Sequence, residues 1–388
     1  MPCPGREGFG AEDREIKMCK VLVINPILYT AETNRIPRVD SIKDTMIYTM
    51  CLGFLRAGHE VTLIAAEDYR PVREERYDFP VLWFHTVWRR LFMPRCFPYM
   101  PGIRRYLKEH KEYDMIVTSE AFAAWSYTAA RVAPGKTVIW HELAAYNNML
   151  HKIPAKFWYQ LVARLLMRRA LVVPRSAEAG TFIRQFMPRV EAEPIDHGVD
   201  LEKFPLSGED AREDRFVVVS QLIPRKRIPH TIETFDRFVK AGYGTYSLSV
   251  IGAGEEETFL RQLVKKLGLE ERVTFHGKLS HEALLPIVAA SKALLVSTEK
   301  DNNMVSIVES IALGTPVVTT SIPYNAAYIR SRELGIVEDD WTADALERIV
   351  AENDRYVANC LVYRERLSNV ACAERFLGLF GLQRLRME

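Results

Sequence analysis

Two carboxylates eight positions apart are the side chains best placed for chemistry in this chain. Asp301 falls in a polar loop after an apolar strand, and the same loop contains two amides, Asn302 and Asn303. A helix is predicted to begin near Met304 and to carry Glu309 in its second turn. Helix amino termini have unpaired N–H groups that bind phosphate, and a carboxylate one turn further along accepts hydrogen bonds from ribose hydroxyls. The pattern favours a nucleotide-sugar ligand, although Glu309 taken alone is more simply an acid on a solvated helix face.

Three consecutive cations, Arg225, Lys226 and Arg227, follow a strand predicted over residues 216–220. A cation beside a phosphate neutralises the charge that develops as a diphosphate departs. Taken alone, the segment is more simply a solvated basic turn. The next strand ends in a Gly-Ala-Gly turn that closes at Gly254, which is a weak signal. It differs from the dinucleotide-binding pattern because positions 255–257 are all glutamate.

Strands and helices alternate along the whole chain, which is typical of parallel sheets covered by helices on both faces. Buried strands are predicted in the first half over residues 20–25, 60–65, 80–84, 114–119, 136–140 and 171–174, and helices over 45–57 and 154–170. The pattern restarts after a polar linker, residues 201–214. We expect a first domain over 18–205, a second over 206–368, and a C-terminal helix within 369–388 that can pack back on the first domain. Residues 1–17 are predicted to be a disordered extension, with Met18 as an alternative start.

The segment around Asp301 and Glu309 resembles the Glu-x7-Glu block of the retaining glycosyltransferases of family 4, the group 1 glycosyltransferases of glycan and capsule biosynthesis. The two acids hold the two acidic positions, and Ser-Ile-Ala-Leu-Gly-Thr-Pro-Val-Val follows in register. Asp replaces the usual first Glu, and Asn302-Asn303-Met304 replaces a Gly-aromatic-Gly loop. Four further landmarks come in the family's order, at residues 194–200, 216–226, 248–255 and 272–280. The resemblance covers most of the second half and implies an α/β fold of the GT-B type, with two Rossmann-like parallel-sheet domains facing each other across a cleft.

The resemblance also implies roles for individual residues. Lys226 matches the lysine that grips the donor diphosphate, and Gln221 stands where the family usually has an arginine, for which Arg225 or Arg227 can substitute. His141, Asp301 and Lys226 form the expected catalytic set. The expected donor-binding residues are Arg225, Arg227, Gly254, Lys278, Asn302, Asn303, Met304, Val305 and Glu309. No metal and no organic cofactor are expected, because cations and helix N–H groups replace a divalent ion.

The first domain is expected to bind the acceptor. His141 directly follows a strand, where the resemblance places the family's active-site histidine, and it is expected to face the cleft and contact the acceptor or donor sugar. The alternative is a histidine that only caps the strand end. Lys43 lies at the entry to the first helix and is expected to meet a phosphate, with a solvated lysine as the equal alternative. Ser41 or Asp44 is predicted to cap that helix.

Composition excludes several other classes of protein. A net charge of +2 over 388 residues argues against a nucleic-acid partner. The six cysteines are scattered and favour reduced thiols rather than a disulfide framework or zinc site. No apolar run reaches membrane-span length. We therefore expect a cytoplasmic location, with peripheral association at the inner membrane face as a further expectation.

Positive charge is concentrated in the first half. Up to position 205 there are 29 basic and 24 acidic residues, and residues 83–111 contain seven cations, one acid and seven aromatic side chains. Residues 152–169 add further cations and aromatics. Cations interleaved with aromatics suit an anionic membrane surface or a lipid-diphosphate acceptor, although the aromatics can equally be core and the cations a solvated face.

We therefore predict a retaining, metal-independent hexosyltransferase. It would move a hexosyl unit from a nucleoside-diphosphate sugar to a hydroxyl on a glycan or lipid-linked acceptor. Two alternatives stay open at this point. One is a GT-B nucleotide-sugar epimerase, and the other is a catalytically weak scaffold subunit of a glycan assembly complex, which the changes at Gln221 and Asp301 would favour.

Overall fold

The structure, a computed structural model, describes residues 18–26, 41–43, 45–71, 75–88, 98–144, 153–195, 198–204, 212–301 and 303–385. In the first domain the described strands are β1 (Lys20–Ile24), β2 (Glu60–Ala66), β3 (Val81–Phe84), β4 (Met115–Ser119), β5 (Thr137–His141) and β6 (Leu171–Pro174). Its helices are α1 (Met46–Arg56), α2 (Gly102–Glu109), α3 (Ala124–Val132), α4 (Ile153–Phe157) and α5 (Ala177–Ile183). A π-helical segment, Trp158–Leu166, continues α4 without a break.

The second domain repeats the alternation of strands and helices. Its strands are β7 (Arg215–Val219), β8 (Ser247–Ile251), β9 (Val273–Gly277), β10 (Ala293–Leu295), β11 (Val317–Thr319) and β12 (Gly335–Val337). Its helices are α6 (Ile228–Lys240), α7 (Glu257–Leu267), α8 (His281–Ala289), α9 (Val305–Ala312), α10 (Ala326–Ser331), α11 (Ala343–Ala351) and α12 (Asn353–Tyr363). A last helix, α13 (Asn369–Leu385), ends the described chain.

Each domain is built on one six-stranded sheet. The strand orders are β3-β2-β1-β4-β5-β6 and β12-β11-β10-β7-β8-β9, and neighbouring strands in both sheets run parallel. Each order reverses in the middle, between β1 and β4 in one sheet and between β10 and β7 in the other. Ligands bind beside such switch points, outside the carboxyl ends of the strands.

Both faces of the first sheet are covered. Alternate residues of a strand point to opposite faces, so Val21 and Val23 pack in a core with α1 and α13, while Leu22 and Ile24 pack with α2 and α3. Because both faces are buried, the strands are almost continuously apolar, as the sequence predicted.

The chain returns to the first domain after completing the second. Val199 donates to Leu367 O at 2.8 Å, and the Asn369 N–H donates to Val199 O at 2.8 Å. From there α13 packs against α1, with the Phe376 ring 6.3 Å from that of Phe54. The first domain therefore contains both an N-terminal part and the last helix.

Local details differ from the sequence expectations. The N-cap of α1 is Thr45, whose hydroxyl accepts from Tyr48 N. Ser41, one of the predicted caps, instead accepts from Lys43 N at 3.1 Å, because it lies five residues before the first residue of α1. Asp44, residues 1–17 and residues 205–211 of the predicted linker lie outside the described residues. No described helix is long and apolar enough to cross a bilayer.

Candidate functional site

The loop after β7 is held in place by the glycine turn after β8. A Cβ added to Gly254 would lie 2.2 Å from the backbone oxygen of Leu222, and one added to Gly252, which has φ +136°, would lie 1.8 Å from Ser220 O. Only glycine permits this approach. Leu222 N also donates to Ala253 O at 3.1 Å. Gly254 therefore supports the donor-side loop from behind.

That loop ends in a 3-10 turn, Pro224–Lys226, which aims two cations at one acid. Lys226 Nζ lies 2.6 Å from Asp301 Oδ2, and Arg225 Nη1 lies 3.2 Å from Asp301 Oδ1. The Thr298 hydroxyl donates to Asp301 Oδ2 at 2.8 Å. Lys226 and Asp301 have side chains only 10% and 14% exposed. Residues 75 positions apart in sequence thus meet at the carboxyl ends of β7 and β10.

Helix α9 begins beside this cluster. The Met304 N–H donates to Asn325 Oδ1 at 2.8 Å. This N–H is therefore already bonded, whereas the sequence predicted that Met304 binds the donor. Ile307 and Val308 N–H both approach Met304 O. No described residue accepts from the Val305 or Ser306 N–H, and both residues line a cavity of about 190 Å³ together with Gln221, Lys226 and Asp301. The first two residues of α9 and two cations, Arg225 and Lys226, therefore line one small polar cavity.

Glu309, the second acid, has a partner that the sequence did not indicate. Its Oε1 lies 2.8 Å from Nε2 of His281, the first residue of α8. Glu309 is mostly buried, whereas His281 is more exposed. The histidine therefore fixes the orientation of the carboxylate, which is not among the residues that line the described cavity.

Not every predicted donor residue joins the cluster. Arg227 adopts a left-handed conformation, with φ +47°. Its guanidinium is turned to Asp340, at 3.1 Å, and Glu299, at 3.8 Å. Of the two residues expected to substitute for the arginine that the family usually has at position 221, only Arg225 therefore lies beside Asp301. Lys278 is exposed directly after β9, and Asn302 lies outside the described residues.

On the first domain, His141 is the last residue of β5 and is fully buried. Its Nδ1 lies 3.0 Å from Glu120 Oε2 and 3.4 Å from the backbone nitrogen of Ala121, so both residues that follow β4 hold the ring. Nε2 is buried without a partner among the described residues. His141 packs near the rings of Tyr159 and Phe182, which corrects the expectation that it opens directly onto the cleft.

Glu120 is the more accessible member of this pair. It follows β4 with a left-handed backbone, φ +64°, and its Oε1 accepts from Glu142 N at 3.0 Å. Burial by itself raises the pKa of Glu120, but His141, the Glu142 N–H and Arg175 together hold the pKa below the ordinary glutamate value. Glu120 is therefore an ionised carboxylate that orients His141.

One contact joins the two halves of the site. Asn303 Nδ2, in the loop before α9, donates to the backbone oxygen of Arg175 at 2.5 Å. Arg175 follows β6, pairs with Glu142 and stacks 4.3 Å over the Trp140 ring. The carboxyl ends of the two sheets thus face each other across the cleft.

Lys43 lies three residues before α1, where its backbone oxygen accepts from Lys203 at 3.4 Å.

Two family profiles match the chain. The profile described as Glycosyl transferases group 1 matches residues 200–353, and the profile described as Glycosyltransferase Family 4 matches residues 44–203. Together they span 44–353, well over half of the chain. The chain belongs to the group 1, family 4 glycosyltransferases. This confirms the resemblance seen in the sequence.

Individual relatives of this family 4 glycosyltransferase match only part of the chain, at 25–33% identity. The lipopolysaccharide core biosynthesis glycosyltransferase LpsE of Rhizobium meliloti is 33% identical over 150 residues, which are 37% of this chain and 42% of that protein. The GDP-mannose-dependent alpha-(1-6)-phosphatidylinositol monomannoside mannosyltransferase of Mycobacterium tuberculosis is 25% identical over 236 residues, or 54% of this chain and 61% of that protein. The chain thus spans about half the length of these relatives.

Solved structures share the whole architecture. The crystal structure of Anabaena HepE in complex with UDP matches with a TM-score of 0.65 and 17% identity, covering 94% of this chain and 100% of that chain. This likeness confirms the predicted two-domain α/β fold of the GT-B type. Among the residues described for this family 4 glycosyltransferase, no three His, Cys, Asp or Glu side chains are grouped so that they could hold a metal ion.

Several site residues of this glycosyltransferase were missed from the sequence. Glu120 and Arg175 each directly follow a buried parallel strand, which is a signal that could have found them. His281 and Asn325 carry no such signal, because each reaches the site from an element whose position depends on tertiary packing.

Proposed function

We propose that the chain transfers a hexosyl unit from a nucleoside-diphosphate sugar to a hydroxyl group, with retention of the anomeric configuration and without a metal ion. The observation that carries the proposal is that Lys226, Arg225 and the first two residues of α9, Val305 and Ser306, line one cavity. These groups suit the two phosphates of the donor. Glu309, one turn further along α9, suits the ribose hydroxyls.

The cluster also suits the chemical step. In transfer, the bond between the anomeric carbon and the phosphate oxygen breaks while the acceptor oxygen bonds to the same carbon on the same face. The acceptor's proton passes to the departing phosphate oxygen. Cations beside that oxygen stabilise the negative charge that develops there. Because Lys226 is paired with Asp301, we infer that the lysine turns to the phosphate on donor binding and that Asp301 then faces the donor sugar.

For the acceptor we propose a glycan or a lipid-linked glycan. The relatives named above act, by their names, on the lipopolysaccharide core and on a phosphatidylinositol mannoside. The acceptor side would be lined by Glu142 and Arg175, with Lys43 near the start of α1. His141, which is buried, would contribute by holding the Glu120 carboxylate in position. An anionic membrane surface is proposed as a further partner.

The first experiment identifies the donor. Thermal unfolding is measured with UDP, GDP, ADP and their sugars, since a ligand at 100 times its Kd adds roughly 2.7 kcal/mol to the stability of the folded state. Arg225→Ala is compared with Arg227→Ala, which removes the same side chain two positions away. We expect the Arg225 variant to lose most of the nucleotide-dependent shift and the Arg227 variant to keep it, because Arg227 is turned to Asp340.

Product analysis then separates the possible activities. Release of nucleoside diphosphate with a sugar on the acceptor supports transfer, and an α-linked product from an α-linked donor supports retention. An isomerised donor would instead indicate an epimerase, and nucleotide affinity without turnover would indicate a scaffold subunit. Asp301→Asn is expected to lower turnover while nucleoside diphosphate still binds, because Lys226 is then released from its ion pair.

A further inference from the structure

The helix formed by α4 and its π-helical continuation, residues 153–166, has an apolar surface on the side that faces away from the protein. Every fourth residue shares one row along it. The row of Ala155, Tyr159 and Ala163 is buried against the domain. A surface helix normally has polar residues opposite such a row, but here the outer row is apolar as well.

The outer row is large and continuous. It consists of four side chains and their exposed fractions: Ile153 (82%), Phe157 (61%), Leu161 (43%) and Leu165 (55%). Leu166, on the neighbouring row, is exposed too. These five residues, which we call the apolar strip, account for nearly half of the large exposed apolar side chains of the described chain. Single exposed apolar residues need no explanation, whereas a contiguous strip marks an interaction surface.

A row of cations runs beside the apolar strip. Lys156 and Arg164 are exposed two turns apart, with the exposed Gln160 between them, and Arg168 is exposed just after the end of the helix. The sequence has no acidic residue between Glu142 and Glu178, so nothing on this segment offsets their charge. An apolar strip bordered by cations is the pattern of helices that lie in the interface of an anionic bilayer.

The neighbouring helices extend the positive surface. Helices α2 and α3 lie on the same face of the first sheet. The space between them is a cavity of about 1100 Å³ lined by five cations and no acid: Arg104, Lys108, Lys111, Arg131 and Lys136. The charge therefore covers the helical layer and not just one helix, which favours a broad anionic surface over a peptide in a groove.

The inner face of the same helix reaches the candidate acceptor site. Trp158 Nε1 donates to the backbone oxygen of Ala121 at 2.8 Å, beside Glu120. The Tyr159 ring lies 6.4 Å from that of His141. A surface that bound the outer face would thus be held one helix thickness from the strand ends where the acceptor is proposed to react.

We propose that the apolar strip and its cationic row dock this chain on the surface of an anionic lipid bilayer. The helix lies in the interface, with Phe157, Leu161 and Leu165 among the upper acyl chains and the cations at the headgroups. The inference deepens the proposed function and rests on it only for the lipid-linked acceptor. Docking itself needs no sugar transfer.

Co-sedimentation of the full chain with vesicles tests the docking surface. Vesicles of phosphatidylcholine with phosphatidylglycerol are compared with phosphatidylcholine alone, at low and high salt. Phe157, Leu161 and Leu165 are changed together to Gln, which keeps helix propensity. The control is Phe259→Gln with Val362→Gln, two exposed apolar side chains on helices of the second domain.

We expect the apolar triple variant to lower vesicle partitioning by roughly tenfold or more, while the control has no effect. Changing Lys156, Arg164 and Arg168 together to Gln should lower partitioning by roughly 100-fold at low salt. Changing Lys240, Lys265 and Lys266 to Gln removes the same net charge from the second domain and should have little effect. Raised salt should release the wild type, because screening weakens the cationic contacts.

The outcomes separate docking from the transferase proposal. Wild type that stays in the supernatant at low salt, or control variants that lose binding as much as the test variants, would overturn the docking surface. A dimer in sedimentation velocity that the apolar variant dissociates, without vesicle binding, would overturn it in favour of a second copy. Vesicle binding without sugar transfer supports the docking surface and counts against the transferase proposal. Sugar transfer to a soluble acceptor without vesicle binding supports the transferase proposal and overturns the docking surface. Nucleotide-induced thermal shifts of the variants should equal those of the wild type.

Discussion

Lys226→Ala gives the most direct test of the donor site. The amine lies 2.6 Å from Asp301 Oδ2 at the edge of the polar cavity, with little exposure to solvent. A hydrogen bond to a charged group contributes about 1.5–3 kcal/mol. Its loss should therefore weaken nucleoside-diphosphate binding by roughly 10- to 150-fold.

The variant should remain folded. Asp301 keeps its ion pair with Arg225 at 3.2 Å and accepts from the Thr298 hydroxyl at 2.8 Å. The carboxylate is not left without a partner, so we expect a loss of unfolding free energy on the order of 1–3 kcal/mol. Urea denaturation checks this, and calorimetric titration with the nucleotide found in the donor panel measures the affinity.

Lys240→Ala is the matched control. Lys240 also pairs with an aspartate, Asp236, at 2.7 Å, but its side chain is 66% exposed at the end of α6. Such surface pairs contribute little, and the residue lies outside the described cavity. Its nucleotide affinity should match the wild type. Equal effects of the two variants, or unchanged affinity in a folded Lys226→Ala protein, would refute the assignment of Lys226 to the phosphates.

Three further predictions concern other parts of the site. Glu309→Gln should weaken binding of a nucleoside diphosphate but not of inorganic pyrophosphate, both measured by calorimetry, because the change affects only a ribose partner; equal losses would contradict that role. Gly254→Ala should destabilise the protein by at least about 1–3 kcal/mol, because its Cβ would lie 2.2 Å from Leu222 O. Gly378→Ala, with open space around it in α13, should be neutral or stabilising by about 0.4–1 kcal/mol in the same urea melts. Glu120→Gln should lower the free energy of unfolding at pH 7, and the difference from wild type should shrink as the pH falls below 4.5. The reason is that a carboxylate with a lowered pKa stabilises the folded state at pH values above its ordinary pKa, and this stabilisation is lost when the carboxylate is protonated. A difference independent of pH would contradict this.

The sequence alone determined the fold class of this glycosyltransferase and indicated candidate donor-site residues that the structure brings close together. Apolar runs of strand length, separated by helical segments, dictate parallel sheets because both faces of such strands must be buried. The restart of the pattern near residue 216 marks the second domain. The resemblance to family 4 singled out Lys226, Asp301 and Glu309 as donor-site candidates. Their positions after a strand end or in the first turns of a helix are local relations that the sequence pattern predicts.

Tertiary structure decided which neighbours cooperate. Sequence could not choose between Arg225 and Arg227, because the left-handed backbone at Arg227 turns adjacent side chains to opposite partners. It could not pair Glu309 with His281 or His141 with Glu120, because each pair joins separate elements.

The same holds for the helix over residues 153–166. Its buried row and its exposed row are both rich in apolar residues at four-residue spacing. The spacing of apolar residues in the sequence therefore predicts two apolar faces on this helix and does not distinguish between them. Only the packing of the helix on the sheet shows which of them is left for solvent or for a membrane, because burial depends on what lies beside a surface as well as on the residues that form it.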